Sequence, residues 1–278
     1  MTSLNIILQK VVQFYEKQPK PEGRPFILGI SGPQGSGKST LALTLKEALE
    51  RSKGKVVVNI SLDDFYLTHK EQVNLAESHA DNPLIQHRGL AGTHDVEFLK
   101  NVLDALRNPT DTPIEIPVYD KSKFNGYGDR GDKSKWQVVS PKEVDLVIFE
   151  GWMVGFEAMD PCMVSVRARS TKWQCLEDSL LWVNEQLKRY ESVFRKIDSL
   201  VQLEAQEIKY VYEWRLQQEH TLKTLIHAGM SDEEVKIFVN NYMPQYILYL
   251  GTLSNKVHLN PRCLEIILDE NRWPIVIH

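Results

Sequence analysis

The fold is decided by the stretch Gly32-Pro33-Gln34-Gly35-Ser36-Gly37-Lys38-Ser39, which fits the pattern G-x-x-x-x-G-K-[ST]. It lies between a short apolar run at residues 26–30 and a helical pattern that begins near Thr40. Glycines in such a stretch let the backbone turn so that successive N–H groups point at phosphate oxygens. Lys38 can reach the β- and γ-phosphates, the Ser39 hydroxyl can ligate Mg²⁺, and the N-terminal end of the following helix adds positive charge. We therefore expect residues 32–40 to bind the phosphates of ATP.

Strand and helix patterns alternate downstream of this loop. Residues 56–62 form an almost continuous apolar run, residues 95–107 have helical spacing, and residues 145–149 form another apolar run that ends at Glu150. Residues 114–118 alternate apolar and polar positions, as an edge strand does. Strands that alternate with helices predict an α/β fold with a mainly parallel sheet and helices on both faces.

The flanking regions have patterns of their own. Residues 1–24 predict a leading helix and a linker, and residues 157–230 predict a helical lid or insert, with helices at 176–190 and 204–228. A capping box at residues 231–234 begins a further helix that we expect to end before Pro244. Two short β-like runs, joined by a turn, follow at residues 264–278. Composition marks no boundary, so we expect a single domain over residues 1–278.

Composition excludes several classes of protein. The 278 residues include 33 basic and 37 acidic ones, a formal net charge of −4 that favours neither nucleic acid nor an anionic membrane as a partner. The first 20 residues lack the apolar core of a signal peptide, and no apolar run approaches the length of a membrane span. Three cysteines without metal-site spacing are consistent with a reducing compartment. These features predict a cytoplasmic protein and leave its oligomeric state open.

Acidic residues end two of the predicted strands. Asp63 and Asp64 follow the second strand, and Glu150 ends the strand at residues 145–149. In a parallel sheet these carboxylates lie at the carboxyl edge beside the phosphate-binding loop, where ligands bind. One of the aspartates can act as a base and a Mg²⁺ partner, and Glu150 can join the Mg²⁺ shell with Ser39. The alternative is that the aspartates form a turn and that Glu150 is merely solvated.

Cationic residues in three further segments are candidates for binding an acceptor. Arg88 can clamp a carboxylate and His94 can hydrogen-bond a small polyol, although the segment also fits a plain turn with Asp95 as a helix cap. The loop at residues 119–136 carries Lys121 and Arg130 and fits a solvated loop as well as an anion-binding one. Arg215, within a helix, is either a surface residue or a lid arginine that closes over the γ-phosphate.

Five motifs follow the phosphate-binding loop: Ser61-Leu62-Asp63-Asp64-Phe65-Tyr66; Arg88 to Asp95; Tyr119-Asp120-Lys121-Ser122 with Gly128-Asp129-Arg130; Glu150-Gly151-Trp152-Met153-Val154-Gly155-Phe156; and Trp214-Arg215-Leu216-Gln217. Together they resemble the D-glycerate 3-kinase family, in particular its fungal branch. That branch resembles, more distantly, uridine kinase, phosphoribulokinase and the bacterial type of pantothenate kinase. The motifs that carry the resemblance span about residues 26–249.

The resemblance implies a P-loop NTPase fold and a reaction in which ATP, with Mg²⁺, phosphorylates the 3-hydroxyl of D-glycerate to give 3-phosphoglycerate. In the related kinases the acidic residue that closes the second strand is the base or a metal partner, and it corresponds to Asp63 here. Asp64 matches a family position too, so which of the two takes the proton stays open. We expect acceptor contacts from residues of these motifs: Asp64, Tyr66, Arg88, His94, Asp95, Tyr119, Lys121 and Arg130.

Our hypothesis is a small-molecule kinase whose acceptor is a small hydroxy acid. Ser39, Asp63 and Glu150 would organise Mg²⁺, Asp63 would activate the acceptor hydroxyl, and Lys38 with Arg215 would stabilise the charge on the transferred group. A kinase for a nucleoside or pantothenate is one alternative. The other is a switch protein in which ATP orders the lid for a partner with little catalysis.

Overall fold

The computed structural model describes residues 2–226, 229–257 and 262–278. Its α-helices are α1 (Ser3–Lys17), α2 (Lys38–Lys53), α3 (His69–Ser78), α4 (Val96–Arg107), α5 (Pro161–Arg169), α6 (Glu177–Phe194), α7 (Tyr210–Ile226) and α8 (Asp232–Val257). Its strands are β1 (Phe26–Ser31), β2 (Val57–Ser61), β3 (Ile114–Ile116), β4 (Tyr119–Asp120), β5 (Asp129–Arg130), β6 (Gln137–Val139), β7 (Leu146–Gly151), β8 (Ser199–Ala205), β9 (Cys263–Leu268) and β10 (Pro274–Ile277).

The main sheet has the strand order β10-β9-β8-β1-β7-β2. Its neighbouring strands pair in parallel except β10, which pairs antiparallel with β9. Strand β1 lies between β7 and β8, and all of its residues are buried. Because β1, β2, β7, β8 and β9 run in the same direction, their carboxyl ends meet at one edge of the sheet, where ligands of open α/β folds bind.

Helices cover both faces of this sheet. Successive side chains of a strand point to opposite faces, so Ile27 packs in a core with Leu103 of α4, whereas Leu28 packs in a second core with Leu45 of α2. Burial of each such side chain contributes about 1.5–3 kcal/mol. The predicted α/β architecture, a mainly parallel sheet with helices on both faces, is confirmed. None of the helices in the described ranges is both long enough and apolar enough to span a membrane.

Strand β8 lies inside residues 157–230, the region that we expected to be helical. It pairs with β1 and β9 in the main sheet, and the helix predicted from residue 204 begins only at Tyr210. That part of the prediction was wrong. The sequence hides the strand because Gln202 and Glu204 interrupt its apolar run, although Gln202 is 0% exposed in the fold. Helices α5, α6 and α7 form most of the rest of the region.

The strand predicted at residues 114–118 is shorter than expected and does not extend the main sheet. Strand β3 pairs antiparallel with β6, and the two form a separate two-stranded sheet. Strands β4 and β5 form another, in which Tyr119 lies opposite Arg130. These two small sheets carry the polar loop at residues 119–136 back toward the carboxyl edge of β2.

Helix α8 does not end before Pro244, as we had predicted, but runs through it to Val257. A proline inside a helix removes one hydrogen bond at a cost of about 3 kcal/mol. Tyr242, Tyr246 and Tyr249 on the same helix are buried, and each contributes on the order of 1.5–3 kcal/mol by burial. Burial of these tyrosines therefore outweighs the cost of the proline inside the helix.

Other local predictions are confirmed. The leading helix is α1, and the two β-like runs at the end of the chain form the antiparallel pair β9 and β10. Asp95 caps α4, because its Oδ1 accepts from the Phe98 N–H at 3.0 Å. The capping box forms as well: the Glu234 N–H donates to Ser231 Oγ at 3.2 Å, and the Ser231 N–H donates to Glu234 Oε2 at 2.6 Å.

Candidate active site

The phosphate-binding loop connects β1 to α2, as the sequence predicts. Gly35 and Gly37 have φ angles of +75° and +92°, a conformation that glycine adopts without strain. A Cβ atom on Gly35 would also lie 2.6 Å from Cβ of Trp214, so the loop packs tightly against α7. Helix α2 begins at Lys38 directly after Gly37, and its first N–H groups have no partners within the helix and can bind an anion.

Ser39 and Glu150 meet although 111 residues separate them. The Ser39 hydroxyl donates to Glu150 Oε1 at 3.1 Å, because β1 pairs with β7 and aligns Ile30 with Glu150. Glu150 is buried, and its other oxygen, Oε2, has no hydrogen-bond partner among the described residues. A hydroxyl beside a carboxylate with an unsatisfied oxygen is a donor set that suits Mg²⁺.

Asp63 lies in a single helical turn that directly follows β2. Its carboxylate accepts a hydrogen bond from Lys121 Nζ at 2.5 Å and another from the Tyr66 hydroxyl at 3.0 Å. Burial acts to raise the pKa of Asp63, but the positive charges of Lys121 and Lys38 outweigh it and hold the pKa below the ordinary range. Asp63 is therefore ionised at neutral pH.

Asp64 has a different environment. Its Oδ1 accepts from the backbone N–H of Tyr119 at 3.0 Å, which ties the turn after β2 to β4. Burial raises the pKa of Asp64 to about 6; the Tyr119 N–H opposes this rise, and the negative charge of Asp63 adds to it. The two adjacent aspartates therefore differ: Asp63 faces cations, whereas Asp64 accepts a hydrogen bond from the backbone.

His94 is buried and uncharged. Its ring stacks on Tyr66 with 4.4 Å between the centroids, and burial lowers its pKa to about 3. The Gly92 N–H donates to the Tyr190 hydroxyl at 3.0 Å, and that hydroxyl lies 2.8 Å from His94 Nδ1. With its oxygen already accepting, the hydroxyl can donate to Nδ1, which leaves the imidazole proton on Nε2. His94 Nε2 has no partner within the part of the chain that the structure describes, so it offers a donor.

Arg88 fixes the loop at residues 119–136 over this region. Its Nη1 donates to the carbonyl of Gly126 at 2.7 Å and also to the carbonyl of Tyr127. The guanidinium lies 5.6 Å from the centre of the Tyr119 ring. Among the described residues these contacts use only Nη1 of the guanidinium, so Nε and Nη2 can bind an anionic ligand.

Arg130 and Asp95 form an ion pair with each other. Arg130 Nη2 donates to Asp95 Oδ2 at 3.0 Å, and the guanidinium lies over the ring of Phe98. Asp95 also caps α4, so this ion pair anchors β5 to the start of that helix. We expected both residues to contact the acceptor; the structure shows that they pair with each other, and their contact with the acceptor stays a prediction. Tyr119 supplies its backbone N–H to Asp64, while its own buried hydroxyl has no partner among the described residues.

Arg215 forms an ion pair with Glu219 at 2.6 Å, one turn further along α7, and its guanidinium lies over Phe238 of α8. In the described part of the chain no hydrogen bond or ion pair joins it to the phosphate-binding loop. A different arginine does contact that loop: Arg272 Nε donates to the carbonyl of Gly35 at 2.6 Å. The sequence reasoning missed Arg272, because it lies in a turn without a motif.

Comparisons with known proteins identify the family. No protein-family model matches the chain. The kinase mug58 of Schizosaccharomyces pombe is 70% identical over 278 residues, which is 100% of both chains. A solved structure of D-glycerate 3-kinase from Cryptococcus neoformans is 34% identical, has a TM-score of 0.85, and covers 99% of this chain and 97% of its own. The chain belongs to the D-glycerate 3-kinase family.

A plant member of this family is longer than the chain. The chloroplastic D-glycerate 3-kinase of Arabidopsis thaliana is 39% identical over 258 residues, which are 91% of this chain and 54% of the plant protein. Family membership confirms the P-loop kinase fold and an ATP-dependent phosphotransferase that acts on a hydroxyl acceptor.

Proposed function

We propose that this kinase transfers the γ-phosphoryl group of ATP to the 3-hydroxyl of D-glycerate. Two relatives that carry this activity in their names support the acceptor. The observation that carries the proposal is the set of groups around Asp63. An ionised carboxylate, the ammonium of Lys121 and the neutral imidazole of His94 are the kinds of group that a small hydroxy acid requires.

Asp63 is our candidate for the group that orients the acceptor hydroxyl and takes its proton. It is ionised, and it lies at the carboxyl end of β2, beside the strand that carries Glu150. Asp64 is less suited to this role, because its Oδ1 already accepts from the Tyr119 N–H, which ties it to β4. We assign Asp64 the task of holding β4, and therefore Lys121, against the site.

The carboxylate of the acceptor would bind to the free guanidinium nitrogens of Arg88. Lys121 would be shared between Asp63 and this anion, and the Nε2–H of His94 would donate to a hydroxyl of the acceptor. Two aromatic side chains beside Asp63 and the phosphate-binding loop offer no open ring face: Tyr66 stacks on His94, and Tyr246 is fully buried. This favours a small acid over a nucleoside, which requires a free aromatic face.

Ser39, Asp63 and Glu150 would hold Mg²⁺. The fit rests on the 3.1 Å contact between the Ser39 hydroxyl and Glu150, on the unsatisfied Oε2 of Glu150, and on the ionised state of Asp63. When bound, the ion neutralises charge on the β- and γ-phosphates. Lys38 and the N–H groups of the loop supply the rest of the positive field around the transferred group.

The test is ADP release from ATP and Mg²⁺ by the purified protein, with D-glycerate, L-glycerate, pantothenate, uridine and ribulose 5-phosphate as separate acceptors. The Lys38→Ala variant serves as the blank. Stimulation by D-glycerate alone is the expected result. Stimulation by another compound would support kinase activity but refute D-glycerate as the acceptor. ATP binding without stimulation by any of them would favour a nucleotide-dependent switch.

A further inference from the structure

The turn between β9 and β10 carries an arginine that reaches the phosphate-binding loop. Arg272 Nε donates to the carbonyl of Gly35 at 2.6 Å, Nη1 donates to Gln217 Oε1 at 2.7 Å, and Nη2 lies 3.4 Å from the carbonyl of Trp214. The guanidinium also lies 5.2 Å from the centre of the Trp214 ring. One side chain thus joins the loop to α7 through three acceptors, which the fork of an arginine can bind together.

The backbone holds Arg272 in a conformation that side chains rarely adopt. Its φ angle is +61°, in the left-handed region. Three contacts maintain the turn: Asp269 accepts from the Trp273 N–H at 2.8 Å, the Trp214 indole donates to the carbonyl of Glu270 at 2.7 Å, and the Ser3 hydroxyl donates to the carbonyl of Arg272. Such strain persists only where its surroundings impose it, and it is frequent at functional sites.

The position of the turn follows from the topology. Strand β9 runs parallel to β8, and β8 runs parallel to β1, so the turn after β9 lies at the edge of the sheet where the phosphate-binding loop follows β1. Gly35 packs so closely against Trp214 that a Cβ atom would not fit. Arg272 contacts both sides of this packing.

We propose that Arg272 is a positioning residue for the phosphate-binding loop. In a trans peptide the carbonyl and the next N–H point in opposite directions. Arg272 therefore holds one side of a peptide unit whose other side, the Ser36 N–H, donates to the carbonyl of Pro33 at 3.2 Å. With both sides held, this unit sets the course of the loop and so the direction of its other N–H groups. N–H groups of this loop are what a bound polyphosphate requires, so Arg272 acts on the nucleotide through the backbone and not by contact.

Arg272→Gly is the variant that tests the proposal, because glycine adopts a φ angle of +61° without strain and leaves the turn in place. Asn271→Gly is the matched control: it makes the same replacement one residue earlier, at an exposed side chain. The measurement is the Kd for ADP and for adenosine, from displacement of a fluorescent ADP analogue. Loss of a charged hydrogen bond to the loop should weaken ADP binding by about tenfold or more and leave adenosine binding unchanged.

Rescue distinguishes positioning from general stability. Methylguanidinium should restore ADP binding to Arg272→Gly and have no effect on the wild-type protein, while Arg272→Lys should stay weak because an ammonium cannot span three acceptors. ADP binding by Arg272→Gly within about twofold of wild type would overturn the proposal, because the loss of a charged hydrogen bond should weaken binding by more than twofold. An equal loss of affinity for ADP and adenosine would also overturn it, because the phosphate-binding loop contacts the phosphates and adenosine has none. If Arg272→Gly does not fold, Arg272→Lys is held to the same limits.

These readouts use nucleotide alone. Normal ADP binding by Arg272→Gly would refute the role of Arg272 and leave the proposal for D-glycerate intact. Conversely, a lack of stimulation by D-glycerate would leave the role of Arg272 intact. The inference rests only on the use of ATP by this kinase family.

Discussion

Asp63→Asn is the most direct perturbation of the site, because asparagine keeps the shape of the side chain and removes its charge. In the structure this carboxylate lies 2.5 Å from Lys121 Nζ and 3.0 Å from the Tyr66 hydroxyl, with its pKa held low. An amide cannot take the proton of an acceptor hydroxyl. A positioned base contributes about 10²–10⁴-fold to the rate, so we expect kcat to fall by that factor.

The same substitution should leave ATP binding and folding nearly intact. The groups that bind the phosphates lie in the loop after β1, and Ser39 and Glu150 would still hold Mg²⁺, so the KM for ATP should change much less than kcat. The ion pair with Lys121 joins side chains that are 57% and 29% exposed, and pairs this exposed contribute less than about 1 kcal/mol. The expected change in Tm is therefore small. A large one would mean that the lost rate reports unfolding.

The assay is the initial rate of ADP release as a function of ATP and of acceptor. Asp64→Asn is the matched control, because its amide oxygen can still accept from the Tyr119 N–H, and we expect kcat to fall by less than about tenfold, the size of one neutral hydrogen bond. A greater loss in Asp64→Asn than in Asp63→Asn would refute our assignment of the base. So would a kcat for Asp63→Asn close to that of wild type.

Three further predictions concern stability, the imidazole and the loop. Burial raises the pKa of Asp64 from 3.8 to about 6, so its charged form lowers stability as pH rises through this interval; Asp64→Asn should unfold in denaturant like wild type near pH 4 and be up to about 3 kcal/mol more stable at pH 7. Tyr190→Phe removes the hydroxyl beside His94 Nδ1; we expect nitrogen-15 NMR to show mixed imidazole tautomers and the KM for the acceptor to rise, and an unchanged spectrum would contradict this. Gly35→Ala puts an alanine in the left-handed conformation, which costs about 1–2 kcal/mol of strain, and its Cβ would lie 2.6 Å from the Trp214 side chain. ADP titration should therefore show a loss of binding. Gly23→Ala is the control, because Gly23 has a φ of +71° but lies in open space, and we expect this variant to bind ADP normally.

The part of the site that could be predicted depends on local patterns at the ends of strands. The glycine-rich stretch between an apolar run and a helical pattern places the phosphate-binding loop, and Asp63 and Glu150 each end an apolar run. Parallel strands bring their carboxyl ends to one edge whatever their separation in the chain. Ser39 and Glu150 are therefore in contact across 111 residues, and no information beyond the order of strands was required to expect them there.

Other features depend on partners that no local pattern reveals. Strand β8 is buried on both faces, so Gln202 is fully enclosed although its neighbours in sequence suggest an exposed position. Pro244 is tolerated because of tyrosines that pack elsewhere on the same helix. Arg272 contacts Gly35 although 237 residues separate them, and the turn that brings it there has no sequence motif. In each case tertiary packing overrides the preference of the local sequence.

The charged residues of the acceptor motifs differ in how far contacts within the protein already engage them, which matching to a family does not reveal. Of the charged residues in these motifs, Arg130 and Asp95 pair with each other, and Asp64 accepts from the backbone of β4. These three hold the loop at residues 119–136 in place. Lys121 and Arg88 have hydrogen-bonding capacity left after their own contacts. On our proposal that the acceptor is a small acid, we expect Lys121 and Arg88 to determine its selectivity, and we expect substitutions of the pairing residues to act through the position of the loop.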